Sequence, residues 1–213
     1  MSLYRFFELI PGTLAWATFV AIVVVSRYYP AYAAIFIILF DVYWLLKTLY
    51  FSFHLRATFN TMKQFMSVDW FSKLKATNFK DAPTWEGIYH LIIFPMYQEP
   101  YSVVRESFES LSKANYPNSK FIVVLGTEEK GGGADQEVAR RIKDEFGNKF
   151  FKFMVTTHPA GIPGELPGKG SNETWSGREA QKLIDELHLP YEGVLVSVFD
   201  VDTRIPSEYF GRL

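Results

Sequence analysis

Polar and apolar positions divide this chain into two kinds of sequence. Residues 9–26, LIPGTLAWATFVAIVVVS, carry no charge and are long enough to cross most of a bilayer core. Residues 31–50, AYAAIFIILFDVYWLLKTLY, form a second stretch of that kind, with aromatic side chains near both ends. A short YYP turn after Arg27 separates them, so the pattern predicts a two-helix transmembrane hairpin over residues 1–50. A cleaved signal peptide is the alternative for the first stretch, but it lacks an obvious small-residue cleavage site and a second span follows at once. Residues 51–84 mix Phe, Met and Trp with Lys and Arg in a loosely helical pattern. They suit an amphipathic helix on a membrane surface or a linker helix packed on a following domain, with a boundary at Ala82, Pro83 and Thr84.

From Tyr89 onward the pattern changes to short apolar runs alternating with amphipathic stretches. HLIIFP, KFIVVLGTEE, KFFKFMVTTH and GVLVSVFDVD read as buried strands. Between them, Val104, Phe108 and Leu111 mark one helix face, opened by Pro100. Val138, Ile142 and Phe146 mark a second, and Ala180, Leu183, Ile184 and Leu187 a third. A polar loop, AGIPGELPGKGSN, precedes that third helix. Strands alternating with helices predict an α/β domain over residues 85–213 with a mostly parallel sheet covered on both faces. In such sheets ligands bind beyond the C-terminal ends of the strands, where PMYQE, GTEEK and DVDT stand.

Composition sharpens this picture. Hydrophobic residues make up 48% and aromatics 17%, which argues against disorder. The net charge of −1 offers no electrostatic basis for binding nucleic acid. The absence of cysteine excludes disulfides, thiolate metal sites and cysteine nucleophiles. Basic residues crowd after the second span, from Lys47 through His54, Arg56, Lys63, Lys73 and Lys75 to Lys80, which places the C-terminal part in the cytoplasm. Two spans then place the N-terminus, near Arg5, on the same side. Asp41 interrupts the second span. It suits a polar contact in a tilted helix, or else a missing partner helix or wet channel.

The chemistry gathers at Asp200 and Asp202. Residues two apart at a strand end point the same way, and two unpaired carboxylates there repel and resist ionisation. A divalent cation, Mg²⁺ or Mn²⁺, resolves the repulsion and leaves positions open for phosphate oxygens. HLIIFPMYQEPYSVVRESFESLSKANYP, KFIVVLGTEE, PGKGSN and VSVFDVDTRIPSEYF together resemble an inverting family 2 glycosyltransferase with the GT-A fold, a Rossmann-like nucleotide-sugar-binding domain. The resemblance covers residues 88–213, and the preceding hairpin is similar to that of membrane-bound members such as cellulose and hyaluronan synthases.

The resemblance implies roles by position. Pro95, Tyr97 and Glu99 stand where the family touches base and ribose, Glu128 where an acid contacts uracil, and Lys169 near the nucleotide. Asp200 and Asp202 match its D-x-D, with Asp202 the direct metal ligand. It implies a nucleotide-diphosphate sugar, UDP-linked, as donor and a polysaccharide or lipid as acceptor, at the plasma or inner membrane. The family's general base and its Q-x-x-R-W element follow well after D-x-D, whereas this sequence ends at Leu213, so no base is assigned and a fragment of a longer enzyme is expected. An inactive membrane scaffold and a nucleotidyltransferase are the rival readings. His158 reads as structural or solvated, GGG at 131–133 as a flexible tip, and Trp175 as helix packing.

Overall fold

The computed structural model describes residues 3–77, 84–166 and 168–213. Lys80, Ala82 and Pro83, part of the expected basic cluster and boundary, lie outside the described residues. The chain divides into two compact units, Met1–Phe65 and Met66–Leu213.

The first unit holds two long helices, α1 (Leu3–Tyr28) and α2 (Pro30–Met66). Both are apolar enough and long enough to cross a membrane, and neither buries a residue. Residues 51–66, expected as a separate amphipathic segment, are the continuation of α2: no Gly or Pro interrupts the run, so the i→i−4 ladder carries on. Asp41 lies exposed on α2 without a hydrogen bond or ion pair among the described residues.

The second unit is α/β. After a short helix α3 (Trp70–Ala76), strand β1 (Tyr89–Pro95) leads to α4 (Tyr101–Ser112). Then come β2 (Phe121–Glu128), α5 (Gly132–Phe146), β3 (Lys152–His158), α6 (Lys169–Glu186), β4 (Val194–Val198) and a final turn of helix α7 (Tyr209–Arg212). The four strands form one all-parallel sheet in the order β3-β2-β1-β4. Alternate residues of β1 and β2 feed two cores. Ile92, Phe94, Phe121, Val123 and Leu125 pack with Phe108, Ile142, Phe146 and Phe210 on one face. Leu91, Ile93, Ile122 and Val124 meet Ala180 and Ile184 of α6 on the other. Gly126 lets α6 approach: a Cβ there would lie 2.3 Å from Ser176 Oγ and 2.6 Å from Asn172 Oδ1.

Two expectations are corrected. The run VLVSV forms a strand but is not buried: β4 is an edge strand, and Leu195, Val196 and Val198 are 39%, 59% and 45% exposed. The apolar pattern specifies a pleated segment, while its burial depends on a neighbour that no described residue supplies. The stretch GKGSN is not a loop; α6 already begins at Lys169, with Ser171 Oγ accepting from the Gly168 N–H at 3.2 Å.

Candidate functional site

The strand order fixes where a site can form. β1, β2 and β3 succeed one another in one direction, and β4 returns to the other side of β1. The segments leaving β1 and β4 both pack with α4 on one face of the sheet, the Ile205 N–H donating to Ser110 Oγ at 3.0 Å. The helix that leads into β4, α6, lies on the other face, and a crevice opens between them at the C-terminal edge. A cavity of about 500 Å³ occupies that place. Pro95, Tyr97, Glu99, Glu128, Lys169, Asp200 and Asp202, the seven residues singled out in the sequence, all line it. Met96, Lys130, Gly168, Asn172 and Val201 complete the lining.

Each segment is held by ordinary local chemistry. After β1, the Met96 N–H donates to Gly126 O at 2.7 Å, which carries the ladder one residue past the strand. Gln98 then adopts a left-handed conformation with φ 61°, and its N–H donates to both carboxylate oxygens of buried Asp135, each at 3.1 Å. That anchor turns Tyr97 and Glu99 into the cavity. The Glu99 carboxylate accepts from the Tyr97 N–H. Burial raises the Glu99 pKa above the usual carboxylate range, backbone hydrogen bonds oppose this, and the charges of Asp135 and Asp202 add to it.

At the opposite wall, the aspartates lie just beyond β4, in a turn closed by the Thr203 N–H donating to Asp200 O at 2.9 Å. Val201 between them is buried in the core, and its carbonyl accepts from Ser107 Oγ at 2.7 Å. One inward Val flanked by two outward acids explains the shared face better than strand alternation does. The first lysine of α6 changes the electrostatics: Lys169 Nζ forms an ion pair with Asp200 and lies 3.8 Å from Glu173. The sequence places no lysine near the aspartates; the crossover from β3 through α6 brings one there. Asp202 is exposed and has no ion pair or hydrogen bond among the described residues.

Glu128 closes β2 half-buried, and its Oε2 lies 3.0 Å from His158 Nδ1 at the end of β3. His158 is buried and its Nε2 lies 3.2 Å from Glu165 Oε2. Asn172 is committed to packing: its Nδ2 donates to Gly126 O at 2.9 Å. Lys130 is a lining residue that pattern reading passed over, although it stands only two positions after Glu128.

The lining carries four carboxylates, Glu99, Glu128, Asp200 and Asp202, against two ammonium groups, Lys130 and Lys169. Among the described residues no three acids or histidines converge closely enough to cage a metal ion by themselves. The oxygen donors that are present suit a hard cation that takes one or two carboxylates and completes its shell from phosphate and water. The fit centres on Asp202, because Asp200 is engaged by Lys169. Comparison with known protein families and with characterised proteins returns no match.

Proposed function

We propose that this pocket binds a nucleoside-diphosphate sugar, and that the chain supplies the donor site of an inverting glycosyltransferase of the GT-A type working at a membrane. One observation carries the reading. Residues chosen from four separated segments, for the base, the ribose and the diphosphate, line one cavity where the strand order reverses.

The chemistry follows from the lining. Tyr97 and Glu99 stand at the wall formed by β1, and Glu128 offers an acceptor oxygen to a base N–H. Lys169 and the N-terminal turn of α6 face a diphosphate with positive charge. Mg²⁺ or Mn²⁺, held by Asp202 with Asp200 in support, would neutralise the diphosphate as charge develops on the leaving group. Asp200 serves two partners in this scheme. While Lys169 occupies it, a cation competes poorly; a diphosphate arriving at Lys169 relieves that competition. Cation and nucleotide therefore bind with positive coupling. The acceptor hydroxyl, on a polysaccharide or a lipid, attacks the anomeric carbon from the face opposite the diphosphate. No residue of the pocket is assigned as the base that takes its proton. The long apolar helices α1 and α2 support a membrane location, with the α/β unit on the cytoplasmic side from the basic residues that follow the second span.

Thermal unfolding of the full chain in detergent tests the reading. Uridine diphosphate with Mn²⁺ is expected to raise the midpoint by more than the sum of the two separate shifts. Asp202→Asn is expected to abolish the Mn²⁺-dependent part. Absence of a shift with any nucleoside diphosphate overturns the proposal.

A further inference from the structure

The side chain of Glu128 is not free in the pocket wall. Its Oε2 lies 3.0 Å from His158 Nδ1, and the other ring nitrogen, Nε2, lies 3.2 Å from Glu165 Oε2. β2 and β3 bring the first pair together, because Glu128 and His158 are register partners in the parallel ladder. The loop after β3 brings the second. His158 is 5% exposed, so neither contact is readily exchanged for water.

Hydrogen-bond chemistry constrains what this arrangement holds. A carboxylate accepts and does not donate. Neutral imidazole has one N–H and serves one carboxylate at a time; only imidazolium carries the two N–H groups that both contacts require. The surroundings agree with a bound proton. His158 meets Glu128 from β2 and Glu165 from the loop, while Lys130 lines the same small cavity from the turn after β2. From α6 it meets the uncharged ring of Trp175, with ring centres 5.9 Å apart. Glu129, next to Glu128, accepts from the Ala160 N–H at 2.7 Å and pins the loop a second time. Burial works against the charged ring, but hydrogen bonds and charge from the two glutamates outweigh it and raise the pKa of His158.

We infer that His158 is a positioning residue for nucleotide recognition. As an imidazolium it occupies Oε2 of Glu128, holds that carboxylate with Oε1 turned to the base, and ties it through Glu165 to the loop leading into α6. The inference rests on the nucleotide-binding reading and adds one element to it, a buried histidine that makes the base preference depend on pH. A carboxylate oxygen fixed in that place selects a base that presents a ring N–H at that edge. Uracil does so at N3; cytosine presents an acceptor there and is repelled. When the ring loses a proton one of the two links breaks, and the preference weakens.

The experiment is a titration of the full chain in detergent with uridine diphosphate and with cytidine diphosphate, Mn²⁺ present, from about pH 6 to about pH 8.5, a window that spans the titration of a histidine with a raised pKa. The native chain is expected to favour the uridine nucleotide, with that preference falling roughly fivefold or more across the window, the size of a modest coupling between sites. His158→Asn can still donate to Glu128 through its amide but does not titrate. It is expected to keep the preference and lose the pH dependence. His158→Ala is expected to lose the preference at every pH. A pH-independent uridine preference in the native chain, or a preference unchanged in His158→Ala, overturns this inference and leaves the nucleotide site standing. No binding of either nucleotide by the native chain overturns both. The native profile needs no variant, so a misfolded substitution does not protect the claim.

Discussion

At the scale of single residues, the fold uses its polar side chains in two ways. His90 shows the first. It is a core residue on β1 with aromatic neighbours Tyr116, Phe121 and Phe210. Burial pushes its pKa down to about 4, and its Nδ1 has no hydrogen-bond partner among the described residues. The folded state thus holds His90 neutral while the unfolded chain protonates near 6.5. Its neutrality costs nothing above that value, and stability is lost as pH falls from about 6.5 toward about 4. The acid loss from this residue is on the order of 3 kcal/mol. His90→Phe is expected to flatten the fall in unfolding midpoint over that range, read by circular dichroism; an unchanged acid slope would show that other groups control it. His158 shows the second way, a buried ring kept charged by two acids, and its pH dependence has the opposite sign. Its raised pKa contributes stability that is complete below about 6.5 and lost as pH rises through the folded value.

At the scale of elements, the pocket depends on how closely α6 lies on the sheet. Ser176 and Asn172 fill the space above Gly126, and Ser176 Oγ also pairs with Thr156 Oγ1 at 3.0 Å. Gly126→Ala forces the helix outward or breaks the Asn172 hydrogen bond to Gly126 O. It is expected to destabilise the unit by roughly 2 kcal/mol, as overpacking does. Because Lys169 and Gly168 ride on the same helix, it is also expected to weaken nucleotide binding in a calorimetric titration. A variant with native stability would mean that α6 is freely adjustable. The crossovers, the amphipathic faces of α4 and α5, and the parallel pairing follow from strand and helix periodicity. The exposed flank of β4 does not, because periodicity reports which residues prefer burial and not whether a neighbour exists to bury them.

At the scale of the molecule, two units carry different signals. The unit Met1–Phe65 holds two long helices, each with a stretch long and apolar enough to cross a membrane. Met66–Leu213 has two ordinary cores around a parallel sheet. The expected outcome is that the full chain remains with the membrane pellet after an alkaline carbonate wash and is released by detergent. Recovery in the carbonate supernatant would remove the membrane part of the proposed function.

The amino-acid sequence alone determined the class of the second unit, the alternation of its strands and helices, and the places where polar residues interrupt apolar runs. These are local properties, set by side-chain periodicity over a few residues. Tertiary structure decided what those polar residues meet. Lys169 pairs with Asp200 and His158 with Glu128 because parallel crossovers align residues about 30 positions apart at one sheet edge. Whether an acid stands free, paired with a cation or locked to an imidazole depends on that long-range alignment. No window of neighbouring residues encodes it.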